Sequence, residues 1–233
     1  MIDRTACYVI SCCVLGVIIA LVGWYVYLKV KGTAGCEKFT SDYEVHEFPH
    51  FLTDEECEAV IALSKRRGLE PSRVYSKDAD LLEPDMRVSE QVWLSDGDEA
   101  VIAAISKRAA DLTKVPESHQ EQLQVVHYDA GGKFTPHYDA CDDKPEVCAR
   151  LDERGGQRLA TLLIYLNDDF EGGGTNFVKL NKTVVPEKGK AVLFYNVDPK
   201  NNNEIIRDSM HEGAPVKSGE KWIANKWVRV RPL

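Results

Sequence analysis

Residues 123–139 read LQVVHYDAGGKFTPHYD, and this stretch contains the pattern that decides the fold. Its apolar, β-branched beginning at Leu123–Tyr128 predicts a strand, and Ala130-Gly-Gly132 predicts a turn. The same pattern continues to the C-terminus and predicts five further strands: Arg158–Leu166, Thr175–Val178, Thr183–Val185, Ala191–Tyr195 and Trp222–Val230. Because no helical pattern of useful length interrupts these strands, the sequence favours an antiparallel jelly roll or barrel over a parallel α/β sheet.

Two amphipathic helices are predicted ahead of this β-rich half. Thr53-Asp-Glu-Glu56 is a capping box, and the apolar positions that follow it, with Gly68 at the end, predict a helix over 54–67. A second helix is predicted from about Asp98 to Lys114. The expected fold class is therefore mainly β with N-terminal helices (α+β), in which the helices buttress the sheet.

Length and charge limit the possible functions. The 233 residues are 44% hydrophobic, which is enough for one core in a domain of roughly 190 residues with an appendage. The net charge is −8, from 37 acidic and 29 basic residues, and no basic run is long enough to follow a phosphate backbone. Nucleic acid is therefore disfavoured as a partner.

The N-terminal segment Ala6–Leu28 contains no charged residue. As a helix it would reach about 34 Å, which exceeds the ~30 Å hydrocarbon core of a bilayer. A cleaved signal peptide is the alternative, but its apolar region is usually shorter, and this one ends in the aromatic residues of 24–27 (WYVY). The predicted organisation is one transmembrane anchor at 1–28, a linker at 29–43 and a folded domain at 44–233.

Two cysteines, Cys141 and Cys148, lie seven residues apart in the acidic stretch CDDKPEVC. A disulfide could close so short a loop, but two free thiols fit the sequence equally well. A zinc site is less favoured, because the chain contains no CxxC pair.

A candidate metal site begins at His137-Tyr138-Asp139. Residues i and i+2 of a strand leave the same face, so this imidazole and this carboxylate can converge on one ion. With His211 they would form the two-His, one-carboxylate triad typical of non-haem Fe(II) oxygenases. A surface histidine beside a solvated aspartate is the alternative.

Ten residues after His211, Lys221 stands at the start of an apolar strand pattern, KWIANKWVRV. A buried ammonium group is unfavourable unless it is paired, and the far carboxylate of a dicarboxylate co-substrate bound to the metal could pair with it. The alternative is that Lys221 flanks the strand in solvent.

Several motifs occur in the order and spacing found in one enzyme family. They are Gln124–Tyr128 (QVVHY), Pro136–Asp139 (PHYD), Gly155–Thr161 (GGQRLAT) with Tyr165-Leu166, Glu171–Thr175 (EGGGT), Pro186–Gly189 (PEKG) and His211 through Trp227. Over about residues 44–231 the chain resembles the prolyl 4-hydroxylases, which are Fe(II)- and 2-oxoglutarate-dependent dioxygenases. It looks most like the short algal and large-virus members.

This resemblance implies a fold and a set of site residues. The fold would be a double-stranded β-helix (jelly roll), with Fe(II) at the triad and the distal carboxylate of 2-oxoglutarate on Lys221. Tyr128 and Tyr165 would line the co-substrate pocket, although core packing is an alternative for both. Arg158, Trp227 and Arg229 match positions that line the peptide groove; Trp227 could equally be core and Arg158 a structural ion pair. Arg229 stands where a histidine is common, and Phe134 where some relatives carry a tyrosine, so the peptide preference is open.

The resemblance also implies a reaction. Fe(II), 2-oxoglutarate and O₂ would hydroxylate C4 of a proline in a proline-rich or collagen-like peptide, with release of succinate and CO₂, and L-ascorbate would rescue oxidised iron. A lysyl hydroxylase or a nucleic-acid demethylase would share the triad, but would typically carry arginine in the place of Lys221. A membrane-tethered β-helix that only binds its partner is the alternative from another class.

Membrane topology receives two opposing signals. Lys29 and Lys31 after the apolar segment mildly favour a cytoplasmic domain. The family resemblance favours the lumen of the endoplasmic reticulum, where a disulfide and the Asn181-Lys-Thr183 glycosylation sequon would both make sense. We therefore expect a single-pass type II anchor with a lumenal catalytic domain.

Overall fold

A computed structural model of the protein describes residues 43–75, 80–81, 86–142, 148, 154–201 and 203–233. The predicted anchor and all but the last residue of the predicted linker lie outside these residues. Within them, no helix is long and apolar enough to cross a membrane. The described part forms one folded unit that begins at Tyr43 and ends at Leu233.

Most elements of this unit are strands. The two helices are α1 (Asp54–Arg67) and α2 (Ala100–Thr113), and Glu117–His119 and Arg207–Ser209 form short 3₁₀ turns. The strands are β1 (His46–Phe48), β2 (Glu70–Pro71), β3 (Val74–Tyr75), β4 (Asp80–Leu81), β5 (Arg87–Val88), β6 (Glu90–Leu94), β7 (Leu123–Tyr128), β8 (Lys133–His137), β9 (Arg158–Tyr165), β10 (Glu171–Gly172), β11 (Thr175–Phe177), β12 (Lys182–Val184), β13 (Ala191–Tyr195), β14 (Val197–Asp198), β15 (Glu204–Ile205), β16 (His211–Gly213), β17 (Val216–Ser218) and β18 (Lys221–Arg229).

Two antiparallel sheets carry the fold. The major sheet has the strand order β1-β13-β9-β18-β7-β6-β2, and the minor sheet has the order β12-β11-β16-β8-β5. Non-sequential neighbours such as β9 beside β18 are expected when two antiparallel sheets exchange strands in a jelly roll. The predicted mainly β class with N-terminal helices is confirmed, and the topology is consistent with a jelly roll.

The major sheet buries both of its faces, as strand β9 illustrates. Leu162 and Ile164 belong to the apolar cluster that includes residues of α1 and α2. Leu163 and Tyr165 point the other way and pack with Phe177 of the minor sheet. Because side chains alternate along a strand, one face of the major sheet holds the helices and the other forms the space between the sheets.

The first residue of helix α1 was predicted correctly, whereas that of helix α2 was not. Helix α1 has the predicted bounds, and its capping box is formed: the Thr53 hydroxyl accepts from the Glu56 amide at 3.2 Å, and the Glu56 carboxylate accepts from the Thr53 amide at 2.9 Å. The predicted start of α2 at Asp98 is wrong. The Asp98 carboxylate accepts from the Ser95 amide at 2.7 Å, which holds Asp98 in a turn before the helix begins at Ala100.

Candidate active site

The first two residues of the site lie opposite each other on neighbouring strands. In the minor sheet, His137 at the end of β8 pairs with His211 at the start of β16, and the ring centroids are 4.4 Å apart. His137 Nδ1 donates to the Thr135 carbonyl at 2.8 Å, and His211 Nδ1 donates to the Ser209 carbonyl at 2.9 Å. Both Nε2 lone pairs are therefore free for a metal, which is how ligating histidines are usually oriented.

The third residue, Asp139, follows β8 in a bend rather than on the strand itself. Its Oδ1 lies 3.7 Å from His137 Nε2, and its Oδ2 lies 3.9 Å from His211 Nε2. Oδ2 accepts hydrogen bonds from the Thr161 hydroxyl at 2.6 Å and from Trp227 Nε1 at 2.9 Å. These two donors hold the carboxylate in place, with Oδ1 toward His137 and Oδ2 toward His211.

The electrostatics of the three residues favour metal binding. Burial and the neighbouring imidazole of His211 lower the pKa of His137 to about 3, so its ring is neutral at neutral pH. Burial alone would raise the pKa of Asp139, but His211 and His137 outweigh it and hold that pKa below its ordinary value. One ligand atom from each residue lies within 4.8 Å of the others. Two imidazoles with a carboxylate on one side of an ion are the donor set that suits Fe(II) and leaves positions open.

Lys221 approaches the same space from the major sheet. It pairs with Tyr128 across β18 and β7, is only 2% exposed, and its Nζ lies 5.1 Å from the Tyr128 ring centroid and 5.7 Å from that of Tyr165. Within the described residues it makes no hydrogen bond or ion pair, and burial lowers its pKa to about 7. An anionic group entering the cavity would give this ammonium the partner that the described residues do not provide.

The three candidate ligands and Lys221 line one cavity between the sheets. Its other lining residues are Arg87, Gln124, Tyr128, Phe134, Leu163, Thr175, Gly213, Ile223, Asn225 and Trp227. The cavity thus combines a facial set of metal ligands with a buried cation, as a site for a metal-chelating dicarboxylate requires.

Comparison with known proteins agrees with this chemistry. The family model described as the 2OG-Fe(II) oxygenase superfamily matches residues 123–229. "Probable prolyl 4-hydroxylase 3" of Arabidopsis thaliana is 36% identical over 222 residues, which cover 87% of this chain and 75% of the relative. The chain belongs to the prolyl 4-hydroxylase family.

Two viral proteins are also similar to this prolyl 4-hydroxylase family member. A "Putative prolyl 4-hydroxylase" of Acanthamoeba polyphaga mimivirus is 41% identical over 147 residues, 63% of this chain and 60% of the viral one. The crystal structure of a viral collagen prolyl hydroxylase from Paramecium bursaria Chlorella virus 1, a complex with 2-oxoglutarate, superposes with a TM-score of 0.65 at 32% identity. That match covers 81% of this chain and 96% of the viral chain.

The two tyrosines expected from the prolyl 4-hydroxylase resemblance lie close to Lys221. Tyr128 lines the cavity, and burial raises the pKa of its hydroxyl. Tyr165 is fully buried, and its hydroxyl bonds the Thr175 hydroxyl at 2.6 Å. Tyr165 therefore contacts a lining residue of the cavity, Thr175, and its ring faces the Lys221 ammonium.

The three residues expected to bind the peptide form one network. The Arg158 guanidinium lies over the Trp227 ring at 3.4 Å and donates to both carboxylate oxygens of Glu121, at 2.7 and 3.0 Å. Arg229 is 4% exposed, and its Nε lies 2.8 Å from Glu121 Oε1. The structure therefore forms the ion pair that was the alternative for Arg158, and it places Trp227 directly against the candidate metal ligand Asp139. Contact of these residues with a peptide stays a prediction.

Sequence reasoning missed Thr161, and it named Trp227 only as a peptide-groove residue, not as a donor to Asp139. Thr161 donates to the carboxylate, and Asn196 Nδ2 donates to the Thr161 hydroxyl at 2.8 Å, so this hydroxyl has its only proton directed at Asp139. A signal for Thr161 was present, because it alternates with Leu163 and Tyr165 on the inward face of a predicted strand. The equivalent signal for Trp227 was absent, since an indole on an apolar strand usually belongs to the core.

Proposed function

We propose that this chain is an Fe(II)- and 2-oxoglutarate-dependent dioxygenase that hydroxylates peptidyl proline at C4 and releases succinate and CO₂. The observation that carries the proposal is the convergence of His137, Asp139 and His211 with the unpaired ammonium of Lys221 in one cavity. Bound Fe(II) would supply the O₂ activation and the oxidising chemistry.

The chain's own residues have separable tasks in this proposal. The two imidazoles and the carboxylate would hold the metal on one side and leave the other side to the co-substrates 2-oxoglutarate and O₂. Lys221 orients 2-oxoglutarate by a charge-assisted contact with its distal carboxylate, while the ketoacid end chelates the metal. Tyr128 lines the cavity and shields that contact from water, and Tyr165 packs behind the lining residue Thr175 with its ring toward Lys221.

The peptide is proposed to enter on the Trp227 side of the cavity, past Arg158 and Arg229. The Arg158 side chain is 22% exposed, which leaves it partly accessible above the indole. Flat aromatic and guanidinium surfaces suit a proline-rich or collagen-like strand, because proline rings stack on them without needing hydrogen bonds. L-ascorbate is proposed as the reductant that restores iron oxidised without peptide hydroxylation.

The proposed location is the lumen of the endoplasmic reticulum, behind a type II anchor formed by the apolar segment Ala6–Leu28. Two features support a lumenal domain. Cys141 and Cys148 form a disulfide with 5.6 Å between their Cα atoms, and disulfides persist in oxidising compartments. Asn181 of the glycosylation sequon is exposed at the turn between β11 and β12. Protease added to sealed microsomes should leave the domain intact; digestion without detergent would contradict this location.

The activity is tested by incubating the full chain with Fe(II), 2-oxoglutarate, ascorbate and a panel of proline-rich and collagen-like peptides. Mass spectrometry should find one added oxygen on proline and one succinate for each hydroxylation. The matched control is Asp139→Asn, which keeps the size of the side chain. Oxygen on lysine, or succinate formation that no peptide stimulates, would contradict prolyl hydroxylation.

A further inference from the structure

A second cluster of metal-binding residue types lies outside the cavity, where strands β7 and β18 pair. His127 and Asp129 stand near the end of β7, and Glu220 directly precedes β18. Since His127 pairs with Trp222, one residue on from the Tyr128–Lys221 pair, its side chain leaves the face of the major sheet opposite to Lys221. The cluster is therefore separate from the triad and from Lys221.

The histidine of this cluster is buried without a hydrogen bond. His127 is 8% exposed, and neither of its ring nitrogens, both fully shielded from solvent, has a hydrogen-bond partner. Nε2 lies 3.4 Å from Glu220 Oε2 and 3.7 Å from Asp129 Oδ1, and Nδ1 lies 3.5 Å from Glu90 Oε2. The ring nitrogens of His127 are therefore buried polar atoms with unsatisfied hydrogen-bonding capacity, because the nearest carboxylate oxygens lie just beyond bonding distance.

Neighbouring residues fix the imidazole ring of His127, whereas the nearby carboxylates of Asp129 and Glu220 can adjust their positions. The Trp222 ring packs against the imidazole at a centroid distance of 4.4 Å, and Trp222 Nε1 donates to Glu220 Oε2 at 3.4 Å. The side chains of Asp129 and Glu220 are 76% and 57% exposed. The carboxylates can therefore move by a few tenths of an ångström onto a common ligand, whereas the histidine is already in position.

We propose that His127, Asp129 and Glu220 form a second divalent metal site, whose preferred ion is a transition metal such as Zn²⁺. Zinc bonds imidazole nitrogen and carboxylate oxygen at about 2.0–2.2 Å, so two ligands of a tetrahedral ion lie about 3.4 Å apart. The measured 3.4 and 3.7 Å separations from Nε2 match that value. An imidazole selects against Ca²⁺ and Mg²⁺, which prefer oxygen ligands alone.

An ion here would join the end of β7 to the start of β18. The neighbouring residues Tyr128 and Lys221 point from the opposite face of the same two strands. The ion would therefore fix the strand pair that carries Lys221, the proposed partner of 2-oxoglutarate. Glu90 on β6 would accept from His127 Nδ1 and orient the ring, as a carboxylate commonly does behind a ligating histidine.

The test counts zinc bound to the full chain after the chelator-treated protein is titrated with Zn²⁺ and freed from excess ion. The wild type should bind two ions per chain, because the triad also binds zinc. Glu220→Gln, which changes an exposed side chain, and His127→Asn should each bind one zinc ion per chain, at the triad. His211→Ala should also bind one, at the second site. The matched control Asp111→Asn removes an exposed carboxylate from helix α2 and should still bind two.

Combining Glu220→Gln with His211→Ala should leave no tightly bound zinc, and a tenfold excess of Ca²⁺ or Mg²⁺ should not release the second ion from the wild type. A wild-type zinc count that His127→Asn and Glu220→Gln leave unchanged would overturn the proposal, as would release by Ca²⁺ of the ion that these variants lose. Because these counts need no turnover, they stand apart from any failure of the proposed hydroxylase activity, which the peptide assay measures separately.

Discussion

Replacing Lys221 with methionine tests the proposed role of the buried ammonium, since methionine keeps most of the side-chain length and removes the charge. A charge-assisted contact contributes about 1.5–3 kcal/mol, so the 2-oxoglutarate concentration for half-maximal activity should rise about 10- to 150-fold. The peptide requirement should change little, because the buried ammonium lies beside the Tyr128 and Tyr165 rings, whereas the proposed peptide entry is on the Trp227 side. Steady-state kinetics with each substrate varied in turn measures both effects.

The same variant should change how stability depends on pH. The pKa of Lys221 is lowered from 10.5 to about 7 in the folded protein. Between these values the unfolded chain holds a proton that the folded chain has lost, so the free energy of unfolding rises with pH. The destabilisation caused by burying the charged Lys221 side chain has its full value below pH 7 and is absent above pH 10.5. From pH 7 to pH 9 the wild type should therefore gain about 2 kcal/mol relative to Lys221→Met, measured by denaturant unfolding.

The chain offers a matched control on the same strand. Lys226 is also 2% exposed, but it lies on the opposite face of β18 and its Nζ is 3.5 Å from Asp96 Oδ1. Lys226→Met should lower stability by removing the ion pair with Asp96, which among the described residues keeps only its hydrogen bond from the Ser106 hydroxyl, and it should leave the 2-oxoglutarate requirement unchanged. Equal effects of the two substitutions on 2-oxoglutarate, or no effect of Lys221→Met, would refute the anchor role.

Three further predictions concern the metal ligands and their supports. His137→Ala should stop succinate formation while the far-ultraviolet circular dichroism stays that of the folded protein; turnover near the wild-type level would remove His137 from the ligand set. Trp227→Phe keeps a ring beneath Arg158 but loses the hydrogen bond to Asp139, so the Fe(II) concentration for half-maximal activity should rise about tenfold or more, and an unchanged value would argue against a positioning role. Thr161→Val should raise the same Fe(II) requirement without changing the 2-oxoglutarate requirement at saturating iron, because it removes the other donor to this carboxylate.

The elements that sequence reasoning predicted well are those whose signals are local. The capping box at Thr53 and Glu56 and the apolar periodicity after it gave both ends of α1, because a helix terminus is determined by residues three or four apart. The strands β7 and β13 have the predicted bounds for a similar reason: each is a continuous apolar run between turn residues. The candidate metal ligands were found because His137 and Asp139 stand at i and i+2 and His211 completes the triad, a choice that the family motifs then supported.

The features that escaped prediction depend on contacts between distant parts of the chain. Strands β6, β8 and β16 were not predicted, because they are short, contain polar residues and are defined by their neighbours in the sheets. The start of α2 moved because Asp98 caps a turn at Ser95 instead of beginning the helix. The donors to Asp139 come from β9 and β18, and only the folded sheets bring them to the carboxylate.

Strand β18 shows why the site and the scaffold can be changed separately. Its period of two places Lys221 and Trp227 toward the cavity, where one is the proposed partner of the co-substrate and the other donates to a metal ligand. Trp222 and Ala224 point to the other face and pack in the cluster that includes the helices, and Lys226 on that face pairs with Asp96. Inward substitutions should therefore alter substrate and iron requirements with little loss of the helix-side core, whereas outward substitutions should lower stability first. A one-residue shift of this strand would exchange the two sets, so the pairing of β18 with β7 and β9 fixes the site and the core together.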